Sequence, residues 1–270
     1  MTASPPPTRP WRRIRLLGVP VDDLTMVETL DAIDALVASR TVHQHVVVNV
    51  SKVVQAAQDP SLAAVLDACD VVNADGQPIL WAARLLGTPL RERVTGVDLM
   101  TRLIERAGAS GHRLYLLGAR EEVVAAVAER IRREQPDVVI AGWRNGYWAP
   151  SDEPAVVEAI AATRPDILFV AIGSPTKERF LARWKDHIGA PFVMGVGGSF
   201  DVYAGRVQRA PGWMRRVGLE WLFRVIQEPR RMWRRYLGDA PRFAWLVVRE
   251  LVGRRRRRRR RPTRPGGSPG

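Results

Sequence analysis

The sequence predicts an α/β fold, with Rossmann-like parallel sheets flanked by helices and a helical C-terminal appendage. Three observations predict it. Strand-like and helix-like stretches alternate as far as residue 200. The strand-like stretches are continuous apolar runs, which marks strands covered on both faces. Beyond residue 200 the alternation stops and the chain turns rich in arginine and tryptophan. With 270 residues, 46% of them apolar, the chain is long enough to bury a core.

Taken in order, residues 1–11 are proline-rich and read as a disordered lead. "RIRLLGVPV" reads as a short strand. In "TMVETLDAIDALVAS", Thr25 and Glu28 form a capping box, and Met26, Leu30, Ile33 and Leu36 recur at helical spacing. "HVVVNV" is a buried strand. "VVQAAQDPSLAAVLDAC" is helical with an interruption near Pro60. "DVVNADG" runs from strand into loop, and helices follow over about 78–86 and 96–108. "RLYLLGA" is a strand and "REEVVAAVAERIRREQ" an amphipathic helix. "DVVIAGW", "DILFVAIG" and "PFVMGVGG" complete the strands, with helices over about 151–163 and 176–187 between them. The chain then reads as helical on both sides of Pro229, followed by a further helical piece, "RFAWLVVRELVG".

Charge divides the chain in the same place. The net charge is +14, but residues 209–270 hold 19 arginines against four acids, and residues 1–208 sum to −1. The expected organisation is therefore a lead over 1–11, an α/β catalytic body over 12–200, an appendage over 201–252 and a disordered arginine-rich tail over 253–270. A dedicated nucleic-acid binder spreads its basic footprint over the folded surface, which this neutral body does not. The single cysteine, Cys69, sits in an apolar context and reads as a buried structural thiol, which favours a reducing compartment. No signal peptide is visible, and no apolar run approaches the roughly 20 residues that span a bilayer.

In open α/β sheets ligands bind at the carboxyl ends of the strands. The residues that follow the strands are Asn49; Ala74, Asp75, Gly76 and Gln77; Ala119 and Arg120; Ser174, Pro175, Thr176, Lys177 and Glu178; and Ser199, Phe200 and Asp201. No Walker A loop, G-x-G-x-x-G fingerprint or D-x-D pair is present. His43 and His45 lack a third ligand in sequence, so no metal site is expected. Asp75 is the strongest candidate for chemistry, although an Asp-Gly at a strand end is ordinarily a turn. Asp98, Asp201 and Glu178 each have an ordinary reading as a helix-start carboxylate, and Arg93 as a surface residue.

Together, "NADGQPI", "RVTGVDLM", "AIGSPTKE", "GVGGSFDVYAG" and "RAPGWMRRVGLEWLFRVIQEPRRMWRRY" resemble, in order and spacing, the bacterial WecG/TagA/CpsF glycosyltransferases over about residues 14–237. The resemblance implies transfer of an N-acetylhexosamine-type sugar from a UDP-sugar to a polyprenyl-diphosphate-linked saccharide, with inversion and without a metal or other cofactor. It implies action at the cytoplasmic face of a membrane, in cell-surface polysaccharide biosynthesis, as a peripheral protein that can self-associate. It makes Asp75 the general base. Asn49, Asn73, Gly76, Gln77, Arg93, Thr95, Asp98, Gly173, Pro175, Lys177, Glu178, Gly197 and Asp201 become the substrate-binding set. Arg209, Arg224 and Arg231 become the cations that stabilise the leaving diphosphate, a task the bidentate guanidinium suits. Arg224 and Arg231, seven residues apart, share one helical face if Pro229 leaves the register intact.

Two positions depart from the family pattern. Lys177 stands where glutamine is common, and Val47 where threonine is common, with Ser51 the nearby hydroxyl. Two rival readings stand beside the transferase: a UDP-sugar epimerase or hydrolase, and a nucleic-acid-binding protein acting through the basic tail.

Overall fold

In a computed structural model of the chain, the apolar runs from residue 43 onward assemble into one six-stranded, fully parallel sheet. The structure describes residues 10–216, 220–227 and 229–259.

The first apolar stretch, read as a single strand, is a hairpin. β1 (Arg13–Leu16) and β2 (Val19–Asp22) pair antiparallel around Leu17 and Gly18, both at positive φ. Two consecutive left-handed residues turn the chain back on itself with the twist that antiparallel strands need. Asp22 locks the hairpin to the sheet: it receives both arms of Arg13 and the backbone N–H of Val72.

The remaining elements follow the expected alternation. α1 (Met26–Ala38) starts at the expected capping box, then come β3 (His43–Val48), α2 (Val50–Gln58) and α3 (Pro60–Asp67). β4 (Val71–Ala74), α4 (Gln77–Leu85), α5 (Gly96–Ser110), β5 (Arg113–Gly118), α6 (Glu121–Glu134) and β6 (Val139–Arg144) come next. α7 (Glu153–Ala162), β7 (Ile167–Ala171), α8 (Thr176–Ile188), β8 (Phe192–Gly195) and α9 (Ser199–Tyr203) complete the body. The strand order is β4-β3-β8-β7-β5-β6.

Both faces of the sheet are covered, which is why its strands read as unbroken apolar runs. Along β5, Leu114 and Leu116 join the core beneath α5 and α6, whereas Tyr115 and Leu117 join the core beneath α7 and α8. A third cluster gathers β1, β2, α2, α3 and α4.

The C-terminal region holds α10 (Gly212–Arg216), α11 (Glu220–Gln227) and α12 (Pro229–Arg259). α12 runs 31 residues, with Pro241 inside it, and continues past residue 253, where the sequence suggests a disordered tail. It is also part of the body. Phe243, Leu246 and Val247 are buried in the cluster that holds Val53, Val54, Ala82 and Leu86, and Arg254 donates to the Leu86 carbonyl. Apolar side chains spaced three and four apart bury one helical face, and that face ties the end of the chain to the sheet.

Candidate active site

Because the strands are parallel, the loops after all six emerge at one edge. Asp75 reaches it by one step past β4. Its N–H donates to the Val48 carbonyl at the end of neighbouring β3 (2.8 Å), and Gly76, at φ 116°, turns the chain into α4. A side chain at that φ is strained, so glycine frees Asp75 to stand half-buried at the strand ends. Gln77 is the first residue of α4.

Asn73 is in the expected substrate set, but the structure puts it beneath the edge. It is fully buried, its Nδ2 donates to Thr29 Oγ1 (3.0 Å), and its Oδ1 meets His45 Nε2 (2.9 Å). β4 ends at Ala74, so Asn73 stays within the strand while Asp75 lies one residue beyond it, before the turn at Gly76. Burial holds the His45 imidazole neutral, lowering its pKa to about 4 against the opposing Asn73 hydrogen bond. His45 thus lies beneath the edge, held to Asn73. Among the described residues, no group of three His, Cys, Asp or Glu side chains is placed to hold a metal ion.

The loop before α5 lies alongside Asp75, because the Val94 N–H donates to the Ala74 carbonyl (3.0 Å). Thr95 caps α5: its hydroxyl accepts the Asp98 N–H and donates to Asp98 Oδ2 (2.7 Å). That same carboxylate oxygen accepts Arg209 Nη2 at 2.6 Å, so a residue expected among the diphosphate cations is drawn onto the body. Burial works against the Arg209 charge, but the Asp98 hydrogen bond, then Asp98, Glu220 and Asp75 through space, raise its pKa above the ordinary value. Arg209 Nε is buried and has no acceptor among the described residues. A second pair, Arg93 Nη1 to Glu220 Oε2 (3.1 Å), fastens α11 to the same loop. Glu220 escapes a sequence reading because its partner lies in a different part of the chain.

Arg224 lies on α11 and Arg231 on α12, and both side chains fall outside the described residues. Asn49 caps α2, accepting the Lys52 N–H (3.0 Å). Ser51 is buried and accepts a bond from Gln55 (3.1 Å), while Val47 packs beside Gly96, which also neighbours the Ser199 hydroxyl. Asp201 is half-buried on α9, where its backbone carbonyl holds Arg206 and Val207.

The β7 and β8 ends hold the least expected feature. Pro175 precedes α8, the Gly173 carbonyl accepts the Lys177 N–H (3.0 Å), and Lys177 and Glu178 turn inward. Glu178 Oε1 lies 2.9 Å from Lys52 Nζ and 3.1 Å from Lys177 Nζ, with all three side chains almost completely buried. Burial opposes the Glu178 charge, but the two ammonium groups prevail and hold its pKa down to about 2. Lys52 was not a sequence candidate. Its signal was a lysine among the apolar residues of "VSKVVQAA", in a chain whose basic residues include only three lysines.

The edge thus holds a half-buried carboxylate, a backbone turn free of side chain beside it, and several cations held in place by acids. Such an arrangement can take a proton from a nucleophile and stabilise an anionic leaving group.

The glycosyl transferase WecG/TagA/CpsF family model matches residues 14–257. An N-acetylglucosaminyldiphosphoundecaprenol N-acetyl-beta-D-mannosaminyltransferase of Bacillus spizizenii is 37% identical over 195 residues, 72% of this chain and 74% of that protein. One of the same name from Bacillus subtilis is 37% identical over 186 residues, 69% of this chain and 71% of its own length. A third, from Staphylococcus aureus, is 29% identical over 239 residues, 88% of this chain and 92% of its own length.

Proposed function

The chain belongs to the WecG/TagA/CpsF glycosyl transferase family, and from that premise we propose that it moves N-acetylmannosamine, or a closely similar N-acetylhexosamine, from its UDP-sugar to N-acetylglucosamine linked through diphosphate to a polyprenol. The names of its relatives supply the sugar and the acceptor. The observation that carries the reading is Asp75, set at the strand ends within electrostatic reach of Arg209.

Asp75 takes the proton of the acceptor hydroxyl as that oxygen attacks the anomeric carbon. The new C–O bond forms as the bond to UDP breaks, and UDP leaves with the electron pair. One carboxylate on the attacking face is enough for a displacement with inversion. Cations receive the charge that builds on the leaving diphosphate, Arg209 among them, so the reaction proceeds without a divalent metal.

We place the enzyme on the inner face of the membrane as a peripheral protein. α12 supports this. Trp245, Val248 and Val252 lie on the helix face opposite its buried residues and are exposed, and the Arg249 guanidinium sits 4.6 Å from the Trp245 ring centroid. Aromatic and cationic side chains together suit a headgroup region. Among the described residues no helix is long and apolar enough to cross a membrane.

The test is UDP release from a panel of UDP-N-acetylhexosamines, with a short-chain polyprenyl-diphosphate N-acetylglucosamine and EDTA present. Acceptor-dependent release is expected, and Asp75→Asn is expected to lower it by about 10²-fold or more with an unchanged melting temperature. Release without acceptor would replace the transferase with a hydrolase or epimerase.

A further inference from the structure

Lys52 and Lys177, two of only three lysines in a chain otherwise dependent on arginine for positive charge, meet on one buried glutamate. Lys52 Nζ also donates to the Val47 carbonyl (2.8 Å), the penultimate residue of β3. The Lys177 stem fills the space above Gly195, where an added Cβ would stand 2.7 Å from Lys177 Cε. Its ammonium ends beside the turn after β8, 3.8 Å from the Cβ position of Gly197. β8 pairs with β3, whose end holds the Asp75 N–H, so the cluster underlies the same edge as the candidate base.

Stability alone explains this poorly. A buried ion pair contributes little that apolar side chains of the same volume would not. One lysine would neutralise Glu178, yet two are buried, and Gly195 stays bare to let the second one pass. Lysine also suits the space above Gly195 better than arginine, being a compact point charge on a thin stem. In surroundings this dry, a fixed cation acts strongly on a nearby anion.

We propose that this cluster belongs to the donor site: the Lys177 ammonium holds the diphosphate of the nucleotide sugar at the Gly197 turn, and Lys52, acting through Glu178, is the positioning residue that fixes where that ammonium stands. The inference rests on the nucleotide-sugar reading above and deepens it. It also gives a role to the departure at position 177, where a charge takes the place of the more usual amide.

The test is calorimetric titration of the full chain with UDP and, separately, with uridine, which lacks the diphosphate. Lys177→Met is expected to weaken UDP binding about tenfold, the size of one charge-assisted hydrogen bond, and to leave uridine binding unchanged. Lys177→Gln, which keeps a polar side chain above Gly195, is expected to do the same and replaces it if the methionine variant does not fold. Lys52→Met is expected to weaken UDP binding by a smaller factor, and adding it to the Lys177 variant is expected to cost nothing more, because both act through one group. The inference is overturned if the Lys177 variants bind UDP within twofold of the unaltered chain, or if UDP and uridine weaken together. If the unaltered chain binds UDP no better than uridine, the nucleotide-sugar reading itself fails and the inference falls with it.

Discussion

Asp75 and Asn73 are two residues apart in one short segment and stand in different surroundings. Asp75 stands at the edge because the Val48 carbonyl holds its N–H and Gly76 turns the chain away. Asn73 is sealed below with His45 and Thr29. This floor has a pH signature. The unfolded imidazole takes a proton near pH 6.5, but the buried one resists until about 4. Between those values the unfolded state binds more protons, so His45 lowers stability as pH falls from 6.5 towards 4. The full difference is about 3 kcal/mol. Urea melts from pH 7 to pH 4 are expected to show this slope, and His45→Gln is expected to flatten it. Glu178 acts in a lower window, stabilising the fold above about pH 4.5 and losing that contribution as pH falls towards 2. Cys69 is fully buried and its thiol pKa is pushed up to about 12 by burial, so alkylating reagents are expected to modify it only after unfolding. Asp75 and Cys69 were legible in the sequence, because a strand-end position and an apolar context are local properties. Lys52 was not, because a lysine on a helix gives no sign of the glutamate it will meet from another helix.

Among the elements, α12 has two unlike faces. Its inward face carries Phe243, Leu246 and Val247 into the core, and its outward face carries Trp245, Val248 and Val252. Leu246→Ala is expected to destabilise the protein by about 2–5 kcal/mol, the ordinary cost of a cavity in a packed core, measured by chemical unfolding. Trp245→Ala is expected to leave the melting temperature unchanged and to weaken sedimentation with vesicles containing anionic lipid. The helix was visible in the sequence as an apolar piece, but its docking was not. Apolar residues on two faces do not say which face meets the body. α11 is joined by charge instead: the Arg93–Glu220 and Arg209–Asp98 pairs bring the appendage over the loop beside Asp75. Arg209→Ala is expected to lower the turnover number by about 10²-fold with little effect on the melting temperature, because Arg209 lies at the edge of the body and not in its core.

For the molecule as a whole, the charge asymmetry and the docking of α12 have separate consequences. A body of net −1 and a C-terminal segment of net +15 make one end of the chain strongly positive. A chain ending at residue 259 is expected to keep the melting temperature of the full protein and to bind anionic vesicles more weakly. The remaining binding is expected to fall further as salt is raised, because screening weakens exposed charge. A chain ending at residue 237 removes Phe243, Leu246 and Val247 from the core and uncovers Ala82 and Leu86. It is expected to aggregate or melt well below the full chain in a thermal scan, which would show that this helix is needed for folding.

The sequence by itself determined the sheet, the alternation and the edge that holds the candidate site. Two-sided burial writes itself into a strand as an apolar run, and parallel strands bring their carboxyl-end loops to one side. Only the tertiary structure decided what meets there. The hairpin at Leu17 and Gly18, the sealed Asn73, the Arg209–Asp98 and Arg93–Glu220 pairs and the Lys52–Glu178–Lys177 cluster each depend on partners or backbone angles that no local pattern of residue types specifies. The physical reason is range: periodicity records which face of an element is buried, whereas an ion pair records which two elements the folded chain has placed within about 4 Å of each other.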